Sequence, residues 1–166
     1  IQEHHQTTST GLEYLKGKYT IVFSPTIMTI NGGTTGGTAI LYSKKLTRYK
    51  PPAIRQVGQN WCAVIVCLQG GGFYQIVTSY TRHGDDLIGV KTMHEVEHYL
   101  KHFQATLLWV GDFNKTHDEL TVKYEWINKF KYKATIGIDT KFVGGRLIDY
   151  GLASTDGARL LSRATL

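Results

Sequence analysis

Asp112 and Asn114 are the residues of this chain best suited to chemistry. They close the run Leu107-Leu108-Trp109-Val110-Gly111-Asp112-Phe113-Asn114, an apolar strand that stops on a glycine. Strand alternation places both side chains on one side of the backbone. A carboxylate and a carboxamide delivered together by a stiff element make a reactive pair, because catalytic groups sit where a rigid scaffold feeds a loop. Glu3, Tyr80 and Asp149 also stand at the ends of β-like runs, the last in Arg146-Leu147-Ile148-Asp149-Tyr150. One carboxylate after a strand is most often a turn former or a cap. It is the recurrence of such residues that makes them candidates.

The elements that must position them can be read from periodicity. Strands are expected at Tyr19–Phe23, Thr38–Tyr42, Trp61–Leu68, Phe73–Tyr80, Thr106–Val110 and Arg146–Ala153, with Ile1–Glu3 as the tail of another. Trp61–Leu68 is apolar at every second position on both faces, so it reads as a central strand covered on both sides. Met93, Val96, Leu100 and Phe103 recur at helical spacing and predict an amphipathic helix over Lys91–Phe103. A second helix is expected over Leu120–Phe130, and a short helical turn between Gly11 and Gly17. The glycine-rich stretch from Asn31 to Gly37 predicts a hairpin or wide loop. Strands dominate and helices are interspersed, which implies packed sheets with helices outside.

The chain has 166 residues, 42% hydrophobic and 19% charged, which fits one globular domain and excludes a disordered one. No apolar run reaches bilayer length, so no membrane partner is expected. The net charge of +6 makes a polyanion, with nucleic acid first, a plausible partner. Cys62 and Cys67 lie five apart on one strand and face opposite ways, so they cannot bond each other. Two free thiols imply a reducing, intracellular compartment, nuclear or cytoplasmic.

Five short motifs, taken together and in order, resemble the endonuclease/exonuclease/phosphatase superfamily of metal-dependent phosphodiesterases, which includes abasic-site and non-LTR retrotransposon endonucleases. Ile1-Gln2-Glu3 is similar to the family's Leu-Gln-Glu strand end. Gly36-Gly37-Thr38-Ala39-Ile40-Leu41-Tyr42 resembles its Gly-Gly-x-Ala-Ile strand, and Val77-Thr78-Ser79-Tyr80 the strand leading into Tyr-x-Pro-Asn. Gly111-Asp112-Phe113-Asn114 matches Gly-Asp-Phe/Leu-Asn directly, and Ile148-Asp149-Tyr150 resembles Ile-Asp-Tyr/His. The resemblance implies a four-layer αββα sandwich (α/β, or α+β) of two mainly antiparallel sheets, incomplete at both ends. It implies that Glu3 binds Mg²⁺ (or Mn²⁺), that Asp112 aligns or deprotonates the attacking water, and that Asn114 bonds a phosphate oxygen. Tyr80 would stabilise the transition state and Asp149 would orient a histidine. DNA is the implied substrate.

The chain departs from the pattern in three places. The family's first strand, with its early asparagine, would precede Ile1. The family's final Ser-Asp-His has no counterpart, since Thr155–Leu166 contains no histidine. Arg82-His83 stands where the family has Pro-Asn. Those departures keep a second expectation open, a non-catalytic relative that uses the scaffold for binding or assembly. Other segments of a larger polyprotein or assembly would then be its partners.

Two further patterns carry weaker expectations. His94-Glu95-Val96-Glu97-His98 is a formal H-E-x-x-H zinc-protease match on the expected helix. A solvated helix face bearing His94, His98 and His102 explains it without a metal. Lys44, Lys45, Arg48 and Lys50 cluster near Tyr42 and Tyr49, and Lys129, Lys131 and Lys133 alternate with Phe130 and Tyr132. Such mixtures suit phosphate contact and base stacking. Lys44, Lys45, Arg48, Arg82 and His83 are the candidate nucleic-acid contacts.

Overall fold

The computed structural model describes residues 5–29, 31–46, 55–68, 72–82, 86–102, 105–133, 142–143 and 146–163. Its centre is a six-stranded sheet. The strands are β5 (Arg55–Gly58), β6 (Trp61–Cys67), β7 (Phe73–Tyr80), β8 (Thr106–Asp112), β9 (Lys131–Lys133) and β12 (Asp149–Ala153), in the order β5-β6-β7-β8-β12-β9. Neighbours run antiparallel except β7 and β8, which are parallel. A parallel pair needs a crossover connection, and helix α1 (Asp86–His102) supplies it. Strands β1 (Tyr19–Ser24) and β4 (Thr38–Ser43) form a second, antiparallel sheet. Two small hairpins complete the strands: β2 (Ile27–Met28) with β3 (Thr34–Thr35), and β10 (Phe142–Val143) with β11 (Arg146–Leu147).

Alternation along the central strands sorts the core into two. Trp61, Ala63, Val77, Leu107, Trp109, Tyr150 and Leu152 face the helices, where Met93, Val96 and Tyr99 of α1 meet them. Leu120 of helix α2 (His117–Lys123) and Ile127 of the following 3-10 turn close the same face. The intervening residues Cys62, Val64 and Val66 face the second sheet and pack on Val22, Ile40 and Tyr42. Helices, six-stranded sheet and two-stranded sheet thus stack as an α/β sandwich, the expected fold class. Among the described residues the stack has three layers, and the 3-10 turn Ser9–Leu15 buries nothing and adds no fourth.

The boundaries differ from expectation for identifiable reasons. Helix α1 begins at Asp86, five residues before the expected start at Lys91, over a stretch where Leu87 is exposed and Gly89 interrupts the apolar pattern. The helix expected over Leu120–Phe130 is two pieces, broken at Tyr124, whose φ of −131° and ψ of 80° lie outside the helical region. Helix α2 starts earlier, at a capping box in which the Thr116 and Glu119 side chains each take the other's backbone N–H. The last expected strand is divided by Ile148 into β11 and β12, and helix α3 (Thr155–Arg163) follows it unforeseen. Ser154 starts α3 by accepting the Gly157 N–H and also accepts the Leu107 N–H from β8.

Candidate active site

Register brings three of the expected residues into one row. Asp112 pairs with Tyr80 across β7–β8 and with Asp149 across β8–β12. The Tyr80 N–H donates to the Asn60 carbonyl at 2.8 Å, which extends the row to the β5–β6 turn. Register partners point to the same face of a sheet, and the Cys62/Val64/Val66 phase identifies that face as the one toward the second sheet. The row therefore faces the second sheet. Gly36, with φ +75°, leads into β4 directly above it: a Cβ there would stand 2.4 Å from Asn60 Oδ1 and 3.2 Å from Tyr80 Cδ1. Only glycine satisfies both that backbone and that approach. Asn60 is 1%, Tyr80 6% and Asp112 8% exposed, while Asp149 is half-buried.

Each residue of Gly111-Asp112-Phe113-Asn114 has a separate task. Phe113 is fully buried and folds back over Gly111, where a Cβ would sit 2.7 Å from its ring. The ring stacks on Tyr150 at 4.4 Å and meets Trp109 edge-on at 5.2 Å. That aromatic anchor fixes the strand end. Asn114 turns the chain with φ +48° and donates its N–H to Asp112 Oδ1 at 3.0 Å. Its position thus comes from a turn, and the alternation expected to align it with Asp112 does not extend beyond the strand. Its Nδ2 donates to the Thr81 carbonyl at 2.6 Å, which leaves one amide hydrogen for a ligand.

Thr81 clamps the motif. Its N–H donates to the Asp112 carbonyl at 2.9 Å, its hydroxyl to the Phe113 carbonyl, and its own carbonyl takes Asn114 Nδ2. On the other side, the Phe113 N–H donates to the Ile148 carbonyl at 3.0 Å. Neither Thr81 nor Asn60 stood out in the sequence. Their roles depend on residues 20 to 33 positions away and on register, which no local pattern reveals.

Asp112 and Asp149 are like charges directly opposite on neighbouring strands, an arrangement that repels. Their oxygens suit a hard divalent cation, as does the buried Asn60 Oδ1, an acceptor without a hydrogen-bond partner. Among the described residues, no three His, Cys, Asp or Glu gather to hold a metal. Glu3 lies outside the described residues, as do Arg48 and His83. Burial pushes the Cys62 thiol up to about 11 and the Tyr99 phenol up to about 12, so both stay protonated and apart from the row's chemistry.

The remaining candidates separate. Arg82 follows Thr81 at the site. Lys44 and Lys45 are exposed beyond the opposite end of β4, about 20 Å from Thr38 by strand rise. The H-E-x-x-H match is spent on structure: Glu95 accepts the Trp61 indole N–H at 2.7 Å, and His94 and His98 are exposed. His117 meets the ring of Tyr150 edge-on at 6.2 Å, on the helix side of the sheet and away from Asp149. Cys62 and Cys67 are both free. No helix among the described residues is long and apolar enough to cross a membrane.

No family model and no curated protein matches the chain. Solved structures do. It is similar to the catalytic domain of human Nocturnin, solved with a bound sulfate anion, at TM-score 0.60 and 16% identity, over 93% of this chain and 67% of that one. It is similar to an endonuclease/exonuclease/phosphatase family protein from Bacteroides thetaiotaomicron at TM-score 0.52 and 12% identity, over 87% and 64%. A β-hairpin deletion mutant of Staphylococcus aureus beta toxin matches at TM-score 0.50 and 14% identity, over 89% and 69%. The chain thus spans about two thirds of the length of these structures. It has the endonuclease/exonuclease/phosphatase fold, as its five motifs implied.

Proposed function

We propose that this chain is a metal-dependent phosphodiesterase domain of the endonuclease type, acting on DNA. The observation that carries the reading is the row Tyr80–Asp112–Asp149 with Asn114 clamped beside it on this fold. Phosphodiester hydrolysis needs an oriented water and relief of the charge that builds on phosphate oxygens. Asp112, held by the Asn114 N–H, orients that water and takes its proton. The second amide hydrogen of Asn114 meets a phosphate oxygen, and the Tyr80 hydroxyl meets another as charge develops. Asp149 orients an imidazole supplied by another segment. Glu3, with oxygens of the row, is the ligand for Mg²⁺ or Mn²⁺, which would supply Lewis acidity at the phosphate. Arg82 and His83 are the nucleic-acid contacts nearest the row in the chain. Lys44, Lys45 and Arg48 serve a longer stretch of the same strand.

The test is nicking of supercoiled plasmid. Relaxation that needs Mg²⁺, stops with chelator and is lost in Asp112→Ala supports the reading. A folded, Mg²⁺-loaded protein that carries the imidazole-bearing segment and still never nicks overturns it. Arg82-His83, standing where the resembled family has Pro-Asn, favours a second reading, a co-opted domain that binds or assembles without cutting. DNA binding without Mg²⁺-dependent cleavage is the result that would select it.

A further inference from the structure

The outer face of α1 carries His94, His98 and His102, spaced one helical turn apart, and all three are exposed. Side chains four positions apart on a helix are neighbours. The structure singles out one pair. The rings of His98 and His102 lie 4.4 Å apart, tilted by 52°. His102 Nδ1 stands 2.7 Å from the His98 carbonyl. A carbonyl only accepts, so Nδ1 carries the hydrogen, and the neutral ring keeps its lone pair on Nε2. Metal-ligating histidines are held this way, with the other ring N–H given to a carbonyl or carboxylate that fixes tautomer and orientation. His94 is engaged differently: its Nδ1 faces Glu97 Oε2 at 3.7 Å.

The local field also favours a cation there. His102 is the final residue of α1, and the last carbonyls of a helix carry partial negative charge. The nearby Lys101 is paired with Glu97 at 2.8 Å, which offsets its own charge. Imidazole nitrogens suit zinc, copper or nickel, whereas a hard ion such as Mg²⁺ takes oxygen. Two histidines supply half of a tetrahedral shell, and water can complete it.

We propose that His98 and His102 form a surface site for a borderline divalent cation of the Zn²⁺ class. It is separate from the Tyr80–Asp112–Asp149 row. Strand β8 begins just after α1 and reaches Asp112 at its far end, about 20 Å away by strand rise. The helices also cover the sheet face opposite the row. A bound ion ties the last two turns of α1 together and leaves the chemistry of the row alone.

The test is calorimetric titration of the full chain with Zn²⁺, with Mg²⁺ in excess to compete for oxygen ligands. The parent should bind Zn²⁺ and melt at a higher temperature once loaded. His98→Ala and His102→Ala should each weaken binding about tenfold or more, since even an outer partner of a metal ligand is worth that much. Each should also abolish the melting shift. Alanine is the stronger helix former, so α1 survives both changes. His94→Ala should bind Zn²⁺ like the parent. Parent-like binding by His98→Ala and His102→Ala overturns the site. An equal loss in His94→Ala also overturns it, because the histidines would then be interchangeable and no pair built. A parent that takes up no Zn²⁺ beside Mg²⁺ overturns it outright.

Discussion

Gly111-Asp112-Phe113-Asn114 and His94-Glu95-Val96-Glu97-His98 both match catalytic patterns, yet the structure treats them oppositely. The first is locked from every side: Phe113 into an aromatic stack, Asn114 onto Thr81, Asp112 between Tyr80 and Asp149. The second lies along a solvated helix face. Its glutamate supports Trp61, its second histidine lies 4.4 Å ring to ring from His102, and Glu97 pairs with Lys101. That lysine holds the Glu97 carboxyl below its usual range. The difference teaches what a match must add to spacing. Catalytic groups need supports that fix them from neighbouring elements, and helical spacing alone supplies none.

Four experiments would break or sharpen that contrast. Asp112→Ala should lower nicking by about 10²–10⁴-fold, the range for a positioned acid or base, whereas His94→Ala/His98→Ala should leave it unchanged. Equal losses in the two would erase the distinction. Phe113→Ala should cost about 3–5 kcal/mol in denaturant melts, the penalty of emptying an aromatic core site. A loss under about 1 kcal/mol would show that the strand end is not anchored there. Glu95→Ala leaves the Trp61 indole N–H without its acceptor and should cost about 1–3 kcal/mol, with activity per folded molecule intact. Activity that collapses with folding preserved would revive Glu95 as a base. Thr81→Val removes one clamp bond, worth about 1 kcal/mol, and should reduce kcat about tenfold with KM unchanged. Thr81→Ser should restore the parent rate, and a rate insensitive to both changes would remove Thr81 from the machinery.

How legible the molecule was depended on where information is stored. β6 could be read because it is apolar toward two layers, and β8 because its apolar run is long enough to mark a core strand. The start of α1 could not, because Leu87 is exposed and Gly89 interrupts the apolar pattern. Asp112 and Asn114 stood out as polar residues at an apolar strand's end. Thr81 and Asn60 did not, since a threonine and an asparagine after a strand are ordinary turn residues. Their meaning arises only when β7 lies beside β8 and the β5–β6 turn completes the row. Asn114 shows the limit most plainly: its residue type was informative, but alternation could not foresee the left-handed turn that aims it.

The parallel pairing of β7 with β8 has a kinetic consequence. Tyr80 and Asp112 lie at the same end of adjacent strands only because the intervening helix carries the chain back across the sheet, and Asp149 joins from farther along still. Such non-local closures pay their loop entropy before any contact rewards them and form slowly. Helix α1 can fold locally, but the row cannot exist until the sheet is whole. During refolding, helical signal should return before activity does, and the catalytic constellation should be among the last parts of the molecule to assemble.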